Sequence, residues 1–207
     1  MSAVAGVPHD AAAAIVAAGR RLDARGWVPA TAGNISVRLD AGRIAITPQR
    51  RAQGPSRPGR RHRRGRRGPG AAAAGAARAR RRRCIASFNQ MFPAVGAVVH
   101  GHSVAATVLS MATPGVALRF AGYELLKAFE GQTTHDAALD LPLVENDQDV
   151  PRMAGRVAPL LPAARLGYLI RGHGTYVWGP DMDTALARFE GLEFLLACEL
   201  ERRKLPR

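Results

Sequence analysis

A run of 35 residues, 49–83, contains not one Val, Ile, Leu or aromatic side chain. Only Arg, Ala, Gly, Pro, Gln, Ser and His occur in it. Folding is driven by burial of apolar surface, so this run cannot supply a core. Any fold must be assembled from the residues before and after it. The run also holds the chain's excess charge. Fourteen of the 30 Lys and Arg residues lie in it, all Arg, with no Asp or Glu. The other 16 basic residues balance the 16 acidic ones, so the formal net charge of +14 is local.

Three readings of the run compete. It is an arginine-rich arm that neutralises phosphates and folds on RNA, a solvated insertion with no partner, or a stretch translated out of frame. The last is favoured, because Arg, Ala, Gly and Pro are all encoded by GC-rich codons. Reading Cys84-Ile85-Ala86 one base earlier permits Leu or Val, then His or Tyr, then Arg or Ser. Such residues suit a helix leading towards Phe92. A nucleic-acid partner is accordingly not expected, and residues 49–89 are set apart as anomalous.

The flanking residues read as parts of a single domain spanning 1–207, a length that suits one core. No secretory leader is expected at Met1–Pro8, and no run approaches the roughly 20 apolar residues of a membrane span. Cys84 and Cys198 form no framework, which fits a reducing cytoplasm.

Asp10 is positioned to cap a helix to about Arg25, with Ile15, Val16 and Leu22 inward and Gly26 ending it. Asn34–Leu39 and Arg43–Thr47 around Asp40-Ala41-Gly42 read as a β-hairpin. Val95–Val99 is a buried strand, and Ser103 caps a helix to Met111. Further on, the spacing predicts a short helix over Tyr123–Phe129, a strand over Leu141–Val144, a helix over Val150–Leu161 and a strand over Gly167–Ile170. Asp181 opens a last long helix with Ala185, Phe189, Leu192, Leu196 and Leu200 inward. Strands alternate with helices, but the early hairpin rules out an all-parallel sheet. The expectation is an α/β fold with a mainly antiparallel or mixed sheet.

His100-Gly101-His102 follows the buried strand. Alternate side chains of an extended segment point the same way, so the two imidazoles can converge on one ion, with Gly101 leaving room between them. A catalytic zinc site takes about three protein ligands and an open position. His173, flanked by Gly172 and Gly174 after another strand, is the natural third. The bland alternative is three ordinary hydrogen-bonded histidines at strand ends. His135 reads as a surface residue, and His9 and His62 lie outside the pattern.

Glu124 is the first carboxylate after Asp40 and stands at a helix start, where the helix dipole favours it in any case. Its functional alternative is a general acid/base beside a metal-bound carbonyl. Thr31–Ser36 forms a small polar turn into a strand, able to receive an anion such as phosphate.

Gly26–Ser36, Phe92–His102 and Tyr168–Gly179 together resemble the class II aldolase and adducin family, and Glu145–Arg152 resembles its dehydratase branch. The resemblance covers about residues 8–48 and 90–203. It implies a three-layer α/β/α fold, a homotetramer with sites near subunit boundaries, and one zinc ion per subunit. His100, His102 and His173 match the family's zinc ligands, and Glu124 its acid/base in dehydratases. Gly33 and Asn34 fall in the turn that holds substrate phosphate. The implied reaction is loss of water from a phosphorylated ketose, a lyase chemistry. An aldolase cleaving a C–C bond and a non-catalytic adducin-like module are the rivals. Where the family carries a phosphate loop of the type Ser/Thr-Gly-x-x-Lys-Gly, this chain has Gln49–Gly54. Cys84 matches no family position and is assigned no role.

Overall fold

The computed structural model describes residues 7–47 and 94–206. The expectations for residues 49–89, the phosphate-loop position, His62 and Cys84 lie outside the described residues. Among the described residues seven strands form one sheet in the order β2-β1-β3-β7-β6-β5-β4. They are β1 (Asn34–Arg38), β2 (Ile44–Ile46), β3 (Ala97–Gly101), β4 (Ala117–Ala121), β5 (Ala138–Val144), β6 (Tyr168–Ile170) and β7 (Gly174–Gly179). Only β5 and β6 run parallel, so the sheet is mixed and mainly antiparallel, in line with the sequence. The hairpin forms with Ser36 opposite Ile46, and Asp40 Oδ1 closes its turn by accepting from the Gly42 and Arg43 amides at 2.9 Å.

Four α-helices cover the sheet among the described residues: α1 (His9–Ala24), α2 (Val104–Ala112), α3 (Val150–Val157) and α4 (Met182–Arg202). Strand pleating divides the core into two layers. One face of the sheet presents Ile35, Val99, Leu169 and Val177 to a large cluster with Leu22 of α1, Leu109 of α2 and Phe189, Leu192 and Leu196 of α4. The other presents Val98, Tyr168 and Ile170 to a smaller cluster closed by Met153 and Val157 of α3. Helices therefore lie on both faces, giving the three-layer arrangement.

Three details depart from the sequence reading. Pro8, not Asp10, occupies the cap of α1; the Ala12 amide reaches its carbonyl at 3.1 Å, and Asp10 sits in the first turn. Val16 points outward at 42 % exposure, because the buried stripe of α1 is Ile15, Ala18 and Leu22. The sequence reading also named neither β4 nor β7. β4 alternates properly, with Leu118 and Phe120 inward and Arg119 outward, and pairs with β5 in the register Leu118–Leu141.

Candidate metal centre

β3 is buried along its whole length, and His100 is its fourth residue rather than a residue beyond its end. His100 is 2 % exposed and shares its sheet face with Val98, the face covered by α3. Gly101 points to the opposite face. A side chain there would meet Phe189 Cζ at 2.7 Å and the Trp27 carbonyl at 3.0 Å. The glycine thus admits α4 beneath the strand, instead of leaving room between the histidines. His102 leaves the strand with its amide donating to the Trp27 carbonyl at 2.7 Å. Ser103 then caps α2, its Oγ accepting from the Ala106 amide at 2.9 Å.

His173 sits in the tight turn between β6 and β7, its amide donating to Ile170 O at 3.0 Å. α2 runs past this turn and clamps it. Ser110 Oγ accepts from the Gly172 amide at 2.9 Å, and Thr107 Oγ1 reaches His173 O at 3.4 Å. Arg171 spans from Glu145 to the end of α2 and the turn beyond it, donating to Ser110 O, to Thr113 O at 2.9 Å and to Gly115 O at 2.8 Å.

The three imidazoles meet. One ring nitrogen from each lies within 4.8 Å of the others, and the ring centroids are 4.7, 4.8 and 5.1 Å apart. The rings stand edge to face, and His100 and His102 bring their Nε2 atoms to 2.9 Å. His100 Nδ1 pairs with Thr175 O at 2.8 Å. A carbonyl can only accept, so that nitrogen carries the proton and the lone pair is on Nε2, facing the cluster. Tyr176 stacks on His100 with centroids 3.9 Å apart and planes 10° from parallel, and Tyr168 stacks beneath Tyr176 at 5.0 Å. Three imidazole nitrogens in one place, one ring with its tautomer fixed, form a group able to hold a metal ion.

Asn34 begins β1 directly opposite His100 and hence on the same sheet face. It is 6 % exposed, yet neither Oδ1 nor Nδ2 has a hydrogen-bond partner among the described residues, and the same holds for Ser36 Oγ two residues on. Gly33 before it has φ +123°, and a side chain there would meet His100 O at 2.7 Å. Ala30 and Thr31, in the turn leading in, hold left-handed backbone at φ 52° and 60°. Such residues cost about 1 kcal/mol or more each and collect at functional turns.

Glu124 lies elsewhere. Its side chain is 71 % exposed, bonded to Lys127 Nζ at 2.5 Å and 4.0 Å from His135. The Lys127 hydrogen bond holds its carboxyl below the usual range. It opens a 3-10 turn (Glu124–Ala128) whose Leu126, with Phe129 just beyond, packs into the larger cluster. That places Glu124 on the face of the sheet opposite the His100 ring, after the edge strand β4. His135 is exposed, as expected.

Thr175, Tyr176 and Glu193 were not legible as site residues. Glu193 of α4 is 2 % exposed and accepts from Thr175 Oγ1 at 3.0 Å, and burial pushes its carboxyl pKa up. The available signal was its place on the inward stripe, four residues after Phe189.

The family described as "Class II Aldolase and Adducin N-terminal domain" matches residues 13–200. A methylthioribulose-1-phosphate dehydratase of Gluconobacter oxydans is 57 % identical over 192 residues, covering 91 % of this chain and 90 % of that protein. Its namesake from Granulibacter bethesdensis is 53 % identical over 204 residues, covering 96 % and 94 %. The crystal structure of L-fuculose-1-phosphate aldolase from Thermus thermophilus superposes with a TM-score of 0.60 at 22 % identity, covering 94 % of this chain and 95 % of the other, a likeness of fold.

Proposed function

Because this chain belongs to the class II aldolase and adducin family, we propose that it is a hydro-lyase that converts 5-methylthioribulose 1-phosphate to 2,3-dioxo-5-methylthiopentyl phosphate and water, a step of methionine salvage in the cytoplasm. The observation that carries this reading is the convergence of His100, His102 and His173 in a chain so similar to dehydratases. These residues would hold one zinc ion, which as a Lewis acid polarises the substrate carbonyl and makes the neighbouring C–H acidic.

The remaining work falls to the protein. A proton leaves C3, the C4 hydroxyl departs as water, and the enol left at C3 becomes the ketone. Glu124, whose carboxylate bonds Lys127, is the group assigned to take and return these protons. The amide of Asn34, without a partner among the described residues, offers a donor and an acceptor to the substrate's phosphate end, with the Gly33 backbone beside it. Buried polar groups are rarely left unpaired without a reason.

Glu124 and the histidines of one chain lie on opposite faces of the sheet, so the carboxylate acts at the cluster of a neighbouring copy. A homotetramer supplies that neighbour. Exposed Val104, Val108 and Met111 on α2, the helix that clamps the His173 turn, and Leu125 beside Glu124 fit surfaces covered in an assembly.

Mixing tests this directly, on the full chain and on a version with residues 49–89 replaced by the corresponding Gluconobacter segment. His100→Ala and Glu124→Gln should each abolish water loss, with no C–C cleavage products at any stage. Subunits of the two variants, dissociated and reassembled together, should regain about a quarter of wild-type turnover, since half the clusters meet half the carboxylates. A mixture as inactive as its parents would sink the shared site.

A further inference from the structure

Two carboxylates are buried among the described residues, and they are held differently. Glu199 is bracketed by Arg202 and Arg203, at 2.8 and 3.0 Å. Glu193 forms no ion pair with any described residue; its polar contacts are hydroxyls. Thr175 Oγ1 donates to Oε1 at 3.0 Å, the Ser103 hydroxyl faces the same carboxyl, and Oε2 has no partner among the described residues. Taking a carboxyl out of water with so little compensation is costly. An apolar side chain at that position of α4, between Phe189 and Leu196, would be the cheaper way to build the core.

Both hydroxyl partners lead straight to the histidines. Thr175 gives its side chain to Glu193 and its carbonyl to His100 Nδ1, at 2.8 Å. It also follows His173 by two residues. Ser103 is the residue after His102 and fixes the start of α2. All three imidazoles are therefore one short link from a single carboxyl on the far side of the sheet, anchored to the longest helix. We infer that Glu193 is a positioning residue that sets, from behind, the spacing of the histidine cluster and the placement of the Thr175 carbonyl that fixes the His100 tautomer. Partners beyond a metal's ligands fix ring orientation and ligand basicity, and losing one weakens binding by about 10–100-fold. Glu193 acts one step further back, so its loss belongs at the lower end of that range.

This inference rests on the metal reading of the cluster. The test is a zinc titration of the full-length apo chain by chelator competition, with the absorption spectrum of the cobalt(II)-loaded protein as a geometric readout. Glu193→Leu should weaken zinc binding by about tenfold and shift the cobalt bands. Glu193→Gln, which keeps an acceptor for Thr175, should restore both. Thr175→Val and Thr175→Ser form a second pair, decisive should the leucine variant not fold: valine weakens and serine rescues. Wild type failing to bind zinc, or His100→Ala binding it as well as wild type, would overturn the metal reading and this inference with it. Wild type binding zinc at the cluster while Glu193→Leu and Thr175→Val bind equally tightly, with unshifted cobalt bands, would overturn the inference alone.

Discussion

The two faces of the central sheet are built to different ends. The face towards α1, α2 and α4 carries the larger core, and its buried Leu22, Leu109, Phe120, Phe189 and Leu196 are fully removed from water. The face towards α3 carries a smaller apolar cluster, and beside it Asn34, Ser36, His100 and Tyr176. The buried side-chain polar atoms of Asn34 and Ser36 there have no partner among the described residues. Apolar burial contributes about 25 cal/mol per Å², whereas an unpaired buried polar group costs about 1–3 kcal/mol. The first face therefore supplies stability, and the second spends some of it to hold groups ready for a ligand. Glu193 is the exception that links them, a carboxyl in the stable layer tied to the strand ends that carry the histidines.

The contrast breaks most sharply if a core deletion on the first face disturbs the cluster on the second. Phe120 lies on β4, four places from β3 in the sheet, and is fully buried. Phe120→Ala should cost about 3–5 kcal/mol, a fall in Tm of roughly 10 °C. Zinc affinity measured well below the new Tm should stay at the wild-type value. A variant that keeps its stability, or loses zinc binding while still folded, would show the layers are not separable in this way.

The second face offers the opposite trade. Asn34→Leu removes a buried amide whose two polar atoms have no partner among the described residues, so chemical denaturation should find the variant as stable as wild type or about 1 kcal/mol more so. Substrate KM should rise by about tenfold or more, because the group proposed to meet the phosphate is gone. Loss of stability in Asn34→Leu would mean that the amide is already satisfied and serves structure.

Much of this division was legible in the sequence, and the gaps have physical causes. The His100, His102 and His173 convergence could be anticipated because each local signal is short-range: an apolar strand, alternation across one glycine, and a glycine-flanked turn. The three-layer mixed sheet followed from the hairpin and the alternation of elements, with family resemblance supplying the layers. Tyr176 and Thr175 could not be found that way. Their roles come from the pairing of β3 with β7, which joins residues about 75 positions apart through register alone. Glu193 stayed hidden because a carboxylate on an inward stripe runs against the usual exposure of Glu. Glu124 could be picked out as a residue, but which face of the sheet it occupies depends on where β4 sits, at the sheet edge.

The smallest effect concerns the acid stability of the loop between β5 and α3. This loop leaves β5 beside Ile170 and enters the helix that closes the second face. Asp147 accepts from Arg152 Nε and Nη2, the latter at 2.7 Å, and from the Asp149 amide at 2.8 Å. The Arg152 hydrogen bonds, then the backbone amide, hold its carboxyl down to about 2. A carboxyl whose pKa is lower folded than unfolded adds stability that is complete above its unfolded value, near 4, and is lost as pH falls to about 2. Arg152 is 59 % exposed, so solvent and salt screen the pair and the contribution is small. Asp147→Asn should leave the neutral-pH Tm nearly unchanged and flatten the fall of Tm between about pH 4 and 2, an effect that weakens in high salt. If the slope of Tm against pH in that window is the same in both proteins, Asp147 titrates as an ordinary surface carboxylate, and α3 is held to the second face by Met153 and Val157 alone.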